Sequence, residues 1–525
     1  LVSPIDGTRR TENSRNGIVK STCCKLLLLA KRSVRYRTDR AASRAARNVC
    51  RMCATVPTPA LPRITIPGMR FMHLAATLLL LPFTACSSLP QVAPNTAPAT
   101  TPAQVEGPRG PLPASRSREI LVGLERGADD TGIFDRHLAV EQAVTGTPLV
   151  SGNRVRLLED GPDTYRAMFV AIAAASDHIN METYILEDDE VGRRFADALI
   201  ARQREGVQVN LIYDGVGTLG TPEDYFQRLR DSGIRTLQFN PVNPATAKAG
   251  WELNQRDHRK LLIVDGRTVF LGGINISSVY SGGSSRRASK ARPDGEQPWR
   301  DTDLQIEGPV VAEFQKLFLA TWLAQKGEPL APRNFFPTLQ AQGKEVVRAI
   351  GSSPDDEFSL IYVTLLSAIG SAETEVWLTN AYFIPDPQLL AALKAAAARG
   401  VDVRLVLPGR TDSALVFHAG RSYYDQMLQD GVIIFERRDA LMHSKTAVID
   451  GVWSTVGSTN FDWRSFLHNQ EVNAVVLGTE FGDRMRAAFA DDVAHSEQIT
   501  LEQWRQRSFD LYLKEWFSRL WQYWL

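Results

Sequence analysis

A histidine, a lysine two positions on and an aspartate five beyond that occur twice in this chain, as His258, Lys260 and Asp265 and again as His443, Lys445 and Asp450. Each aspartate is followed by glycine, and each histidine is followed seventeen residues later by an asparagine, Asn275 or Asn460, in a turn of small residues. All four residue types keep one offset of 185 positions, so the chain carries an internal duplication. Histidine and lysine at i and i+2 point to the same face of a β-strand, and the apolar runs Leu261–Val264 and Thr446–Ile449 read as buried strands. An imidazole beside an ammonium suits a phosphate: the lysine neutralises oxygens while the histidine attacks phosphorus or moves a proton. A single copy would be better explained as a buried histidine with a surface lysine nearby. Two copies in register favour the chemistry.

The duplicated H-x-K-x-x-x-x-D motif resembles the signature of the phospholipase D superfamily, over roughly residues 145–500. Within it, Asn254-Gln255-Arg256-Asp257 before the first motif, Gly272-Gly273-Ile274-Asn275 after it, and Trp299-Arg300-Asp301-Thr302 are similar to bacterial cardiolipin synthases. The resemblance implies two similar domains packed about a pseudo-twofold axis, with both motifs meeting in one cleft. It implies a two-step transfer: one histidine, assigned as His258, forms a phosphohistidine while the other protonates the leaving alcohol, then activates the incoming one. Lys260, Lys445, Asn275 and Asn460 would hold the non-bridging oxygens. The resemblance also implies a carboxylate bonded to each motif histidine. Counting back seven residues from Gly308 and Gly478 gives Asp301 and Glu471 in equivalent places, so Asp301 is paired with His258 and Glu471 with His443. Asp303, on the same strand face, is the rival for Asp301. Asp265 and Asp450 are expected to hold strand and turn rather than touch substrate. No cofactor or metal is expected, because no cluster of His, Asp or Glu has ligand spacing beyond the two motifs.

Around the motifs the elements repeat. Helical spacing over 163–175, a strand over 177–186, a helix over 191–205 and a strand over 207–213 are matched by helix 362–371, strand 375–384, helix 387–399 and strand 401–407. Alternation of this kind predicts an α/β fold with mostly parallel sheets, here in two similar domains, 119–335 and 336–500. Residues 501–525 hold eight aromatic residues among Arg and Lys. They predict an aromatic C-terminal helix that either caps the second sheet or lies at a bilayer interface.

The front of the chain is of another kind. Residues 1–68 carry fourteen Lys/Arg against three Asp/Glu and read as a disordered, non-native extension ahead of a signal. Residues 69–86 have a short basic start, about a dozen apolar residues and a small-residue end, the pattern of a secretory signal. Phe83-Thr84-Ala85-Cys86 is similar to the lipobox of bacterial lipoproteins, which makes Cys86 the expected lipidation site and the cell envelope, across the inner membrane, the expected location. Residues 87–118, rich in Pro, Ala, Thr and Ser, read as a tether.

All five cysteines lie at or before position 86, which suits an oxidising compartment for the remainder. That remainder has 45 basic against 56 acidic residues, net −11, so it lacks the basic surface of a general nucleic-acid binder. A phospholipid substrate, with phosphatidylglycerol as donor, and a membrane surface are the expected partners; nucleic acid is not, and the sequence does not fix the oligomeric state. The expected activity is phosphatidyl transfer of the cardiolipin synthase type. Hydrolysis to phosphatidic acid would use the same residues, and a nuclease on this fold is the more distant alternative.

Overall fold

The computed structural model describes residues 89, 90, 92, 103–125, 132–243, 252–284 and 298–525. The extension, the signal and the lipidation site Cys86 expected over residues 1–86 lie outside the described residues. In chain order the first half contains β1 (Val105–Gly107), β2 (Gly110–Pro111), β3 (Leu149–Glu159), β4 (His178–Thr183), β5 (Gln208–Asp214), β6 (Arg235–Phe239), β7 (Arg256–Asp257), β8 (Leu261–Val264), β9 (Thr268–Gly272), β10 (Trp299–Arg300) and β11 (Thr302–Glu307). The second half contains β12 (Glu345–Ser352), β13 (Glu375–Asn380), β14 (Asp402–Pro408), β15 (Ile433–Arg437), β16 (Leu441–Met442), β17 (Lys445–Ile449), β18 (Trp453–Gly457), β19 (Asn469–Leu477) and β20 (Ser496–Ile499).

The expected α/β plan is present twice, but the sheets are mixed. In the first half the order is β3–β11–β9–β8–β4–β5–β6, in which β4–β5 and β5–β6 are parallel and the other neighbours antiparallel. The second half repeats it as β12–β19–β18–β17–β13–β14–β15–β20, with β13–β14 and β14–β15 parallel. The expectation of mostly parallel sheets is therefore corrected. Its physical cause is the Asp-Gly pair of each motif, which closes a hairpin. Asp265 and Gly266 have φ of 54° and 62°, and Asp450 and Gly451 have 50° and 63°, the left-handed pair that a tight hairpin turn requires. A hairpin makes its strands antiparallel, so β8 and β17 run against the parallel trios β4–β5–β6 and β13–β14–β15 and turn back into β9 and β18.

The helices that follow β4 and β13 begin where side chains cap them. The Asp189 carboxylate accepts from the Gly192 amide at the head of the helix Glu190–Arg204. Asp386 does the same for Pro387–Ala398, whose proline stands where no amide is needed. The helix Glu190–Arg204 buries Val191, Phe195, Leu199 and Ile200 on one face, and that face fixes it to the sheet.

The halves share a core. Ile263, Leu304 and Phe314 from the first pack in one cluster with Val347, Val448 and Val472 from the second. β3 joins the sheets by pairing with both β11 and β12. Two short ladders then exchange partners between halves: β7 runs parallel to β19 with Arg256 opposite Asn469, and β16 runs parallel to β10 with Leu441 opposite Trp299. These pairs interchange when the repeat is applied, as a pseudo-twofold arrangement requires.

Three boundaries differ from the sequence reading. Part of the presumed tether is folded, since β1 pairs with β3 through Val105 opposite Leu149 and Val105 is fully buried. The helix Ile133–Thr145, assigned to the first domain, buries Ile133, Phe134 and Leu138 against Ile361, Leu365 and Ile369 of the second. The C-terminal segment is broken into the helices Leu501–Arg505 and Phe509–Arg519 and a turn at Gln522–Trp524. Among the described residues no helix is long and apolar enough to cross a membrane.

Candidate active site

Each motif histidine sits between a short exchanged strand and a buried hairpin strand. The His258 amide donates to the Gln470 carbonyl (2.9 Å), and the His443 amide donates to the Arg300 carbonyl (2.7 Å), so each histidine is fixed to the strand of the opposite half. His258, His443, Asn275 and Asn460 line one cavity of about 440 Å³, together with Tyr184, Tyr280, Trp299, Tyr382, Arg256, Arg464, Asp412 and Asp462. The duplication thus brings both motifs to a single site.

The carboxylate pairing is the reverse of the one expected. Glu471 bonds His258 Nδ1 through both oxygens at 3.1 Å, and Asp301 bonds His443 Nδ1 at 2.6 Å. Counting positions within each half found the right acids and assigned them to the wrong histidines. The cause is the exchanged ladders: β19, which carries Glu471, lies beside β7, which leads into His258. Asp303, the rival, accepts from the Ile274 amide (3.1 Å) and braces the turn instead. That turn needs glycine: a Cβ on Gly273 would lie 2.2 Å from an Asp301 oxygen. In the equivalent place Ser458 fits, and its hydroxyl donates to Glu471.

Each carboxylate engages the Nδ1 of its histidine, leaving Nε2 of each ring for substrate. Burial, reinforced by Lys260, lowers His258 to a pKa of about 4 against the pull of Glu471, so its ring is neutral at physiological pH. Burial and Lys445 also lower His443, with Asp301 opposing. Burial would raise Glu471, but His258, Lys260 and the Ser458 hydroxyl hold it below the ordinary carboxylate range. Lys260 and Lys445 are buried, and each ammonium turns back to the carbonyl of its own histidine, Lys260 at 2.6 Å. Burial lowers them to about 7 and about 8; Glu471 and Asp301 oppose the shift. Two ammoniums held this far below their usual range await an anion.

Asp265 and Asp450 do not enter the cavity. The Asp265 carboxylate accepts from the amides of Ser176, Asp177 and His178 at 2.8–3.2 Å, and Asp450 accepts from those of Glu373, Thr374 and Glu375 at 2.8–3.1 Å. Each ties its hairpin to the start of the neighbouring strand. Asn275 is engaged within the protein: it donates to the Tyr280 hydroxyl (3.1 Å), which in turn lies 3.3 Å from His443 Nδ1. The Asn460 Oδ1 atom is buried with no hydrogen-bond partner among the described residues.

Sequence reasoning missed the aromatic wall and its cations. Tyr184 packs edge-on against His258, with ring centres 5.1 Å apart, and Trp299 and Tyr280 approach His443 at 5.1 and 5.8 Å. Tyr382, from the same half as His443, approaches it at 6.2 Å. The two tyrosines that follow equivalent strands, Tyr184 and Tyr382, were a usable signal, blurred because they stand one position out of register. Arg464 gave none; its guanidinium is held by the Asn254 side chain (3.1 Å) and carbonyl (3.2 Å), across the halves.

Paired motifs facing one cavity from two fused α/β halves define an enzyme of the phospholipase D superfamily. A family model described as the cardiolipin synthase, phospholipase D-like domain matches residues 168–281 and 365–493, which hold both motifs. The cardiolipin synthase of Alkalihalophilus pseudofirmus is 36% identical over 71% of this chain and 72% of its own length. That of Geobacillus kaustophilus is 35% identical over the same shares. The chain belongs to the cardiolipin synthase family. Its fold is also similar to that of the phosphatidylserine synthase of Haemophilus influenzae Rd KW20, with a TM-score of 0.55 across 74% of this chain and 99% of that one, at 13% identity.

Proposed function

We propose that this enzyme transfers a phosphatidyl group from phosphatidylglycerol to a hydroxyl of a second lipid, forming cardiolipin and releasing glycerol. The observation that carries the reading is the pair of carboxylate-bound histidines lining one cavity, each with a buried lysine two positions on, in a chain similar to named cardiolipin synthases along most of its length. His258 Nε2 attacks the donor phosphorus, the glycerol oxygen leaves with a proton from His443, and a phosphohistidine remains. His443 then takes the proton of the incoming lipid hydroxyl, whose oxygen displaces His258 from phosphorus. The 2.6 Å contact with Asp301 supports this division, because a close carboxylate stabilises the imidazolium that a proton donor needs. Neutral His258 suits the nucleophile. Lys260 and Lys445 supply charge to the non-bridging oxygens, and Asn460, whose amide oxygen has no partner among the described residues, orients a hydroxyl. Arg256 and Arg464 line the same cavity and supply the positive charge that a second anionic lipid requires.

The test is incubation with phosphatidylglycerol vesicles and mass analysis of the lipids. Cardiolipin with an equal amount of glycerol is the expected outcome. Phosphatidic acid alone would replace transfer by hydrolysis. His258→Ala and His443→Ala are each expected to lose at least a thousandfold in rate, and a tenth of the parent rate in either would remove that histidine from the reaction. A membrane surface follows from the substrate; attachment through Cys86 would be tested by Cys86→Ser and the protein's release from membranes.

A further inference from the structure

Among the described residues, fifteen large apolar or aromatic side chains are exposed, and eight of them fall between Phe509 and Trp524. The helix Phe509–Arg519 is amphipathic in the inverted sense: it buries Glu515 and Ser518 and turns Phe509, Leu513, Trp516 and Phe517 outward. Their spacing places them on one face, and exposed Tyr512, Leu520 and Trp521 extend it. The inward face is held by polar contacts: Arg507 Nε donates to Glu515 (3.0 Å), and the Arg519 guanidinium lies 4.6 Å from the centre of the Tyr423 ring. The stripe is therefore not left over from an imperfect core contact. It is also continuous with the active site, because Trp524 and Leu525 line the cavity that holds His258 and His443.

We infer that this face is a bilayer-docking surface that sets the mouth of the active site against the membrane. Resting on the phosphatidyltransferase reading, the inference says how a two-tailed substrate reaches a buried phosphate site. Trp, Tyr, Phe and Leu mixed with Lys514 and Arg505 are the residue types that settle at the boundary between head groups and acyl chains. A lipid whose head group enters past Trp524 leaves its tails beside the apolar stripe, so they stay in the bilayer throughout the reaction. A protein partner or a second copy seated on the same face would close that entrance.

The experiment uses the full chain with vesicles of phosphatidylglycerol and acyl-brominated phosphatidylcholine. Bromine is expected to quench the parent's tryptophan fluorescence, and Trp516→Phe with Trp521→Phe is expected to remove most of that quenching whatever the front of the chain does. In a second arm, Phe509→Ser, Leu513→Ser and Phe517→Ser together are expected to lower turnover of vesicular phosphatidylglycerol at least tenfold. Turnover of a short-chain, monomeric phosphatidylglycerol should stay within twofold. Equal quenching in parent and Trp variant, no quenching, or equal losses on both substrates would overturn the inference, as would a dimer that buries the face. A protein that is quenched but turns over neither substrate would keep the docking surface and reject the transferase reading.

Discussion

At the two imidazoles, the decisive quantity is the charge that burial allows. A buried histidine beside a lysine would normally stay neutral, and here a carboxylate from the opposite half offsets part of that cost while fixing which nitrogen carries the proton. The crossed pairing gives a direct test. With histidines labelled at nitrogen, Glu471→Gln should remove the downfield Nδ1 proton signal of His258 and leave that of His443; Asp301→Asn should do the reverse. Each substitution is expected to lower turnover by about 10²–10⁴-fold, the range of a misoriented acid or base. Loss of the His258 signal in Asp301→Asn would show the pairing to be wrong. Asp301 and Glu471 could be picked out from their distance to a glycine. Their partners could not, because that distance contains nothing about the neighbouring half.

At the level of elements, the motif aspartates explain why the hairpins stay in register. Asp265 closes β8–β9 through its backbone conformation and, through its carboxylate, holds three successive amides ahead of β4. Charge-assisted bonds of this kind contribute about 1.5–3 kcal/mol each at most and overlap in one group, so Asp265→Ala should cost about 3 kcal/mol in chemical unfolding. Those bonds also hold the Asp265 carboxyl below its usual pKa, although burial opposes them. A carboxylate with a depressed folded pKa stabilises above its unfolded pKa and loses that contribution as pH falls through the folded one. The gap between parent and Asp265→Ala should therefore narrow on acidification below the ordinary carboxylate range; a gap independent of pH would exclude the role. Arg300 does comparable work between elements. It donates to Asp492 at 2.8 Å and so fastens the strand next to Asp301 to the second half.

For the molecule as a whole, the site is a place where two halves bring like charges together. Lys260 and Lys445, lowered by burial to about 7 and about 8, must be protonated to hold an anion. Sulfate keeps its charge over this range. Its affinity should fall between pH 7 and 9, by up to about tenfold per pH unit for each lysine that takes up a proton. Calorimetry in buffers of different ionisation enthalpy would count the protons, and a pH-independent affinity with no uptake would refute the assignment. The sign for stability runs the other way. Between the folded value of about 7 and the unfolded 10.5, the unfolded chain holds the Lys260 proton and the folded chain does not, so Lys260 adds stability as pH rises through that window when no anion is added.

The sequence by itself determined the duplication, the histidines, lysines and acids, the Asp-Gly turns and the elements around them, because each leaves a local mark: a spacing, a periodicity, a residue able to take positive φ. The helix at 190–204 and strands such as 375–380 were legible for that reason. What only the tertiary structure decided depends on contacts between distant segments. Exchange of β7 and β16 between the halves chose which acid serves which histidine, and hairpin closure made the sheets mixed. Packing of Ile133–Thr145 on the second core moved a boundary that composition had placed elsewhere. Only the folded chain could show which face of the C-terminal aromatic segment is outward, since both a core cap and a lipid-facing stripe have the same helical period. The choice between them is made by what Glu515 and Ser518 find to pack against.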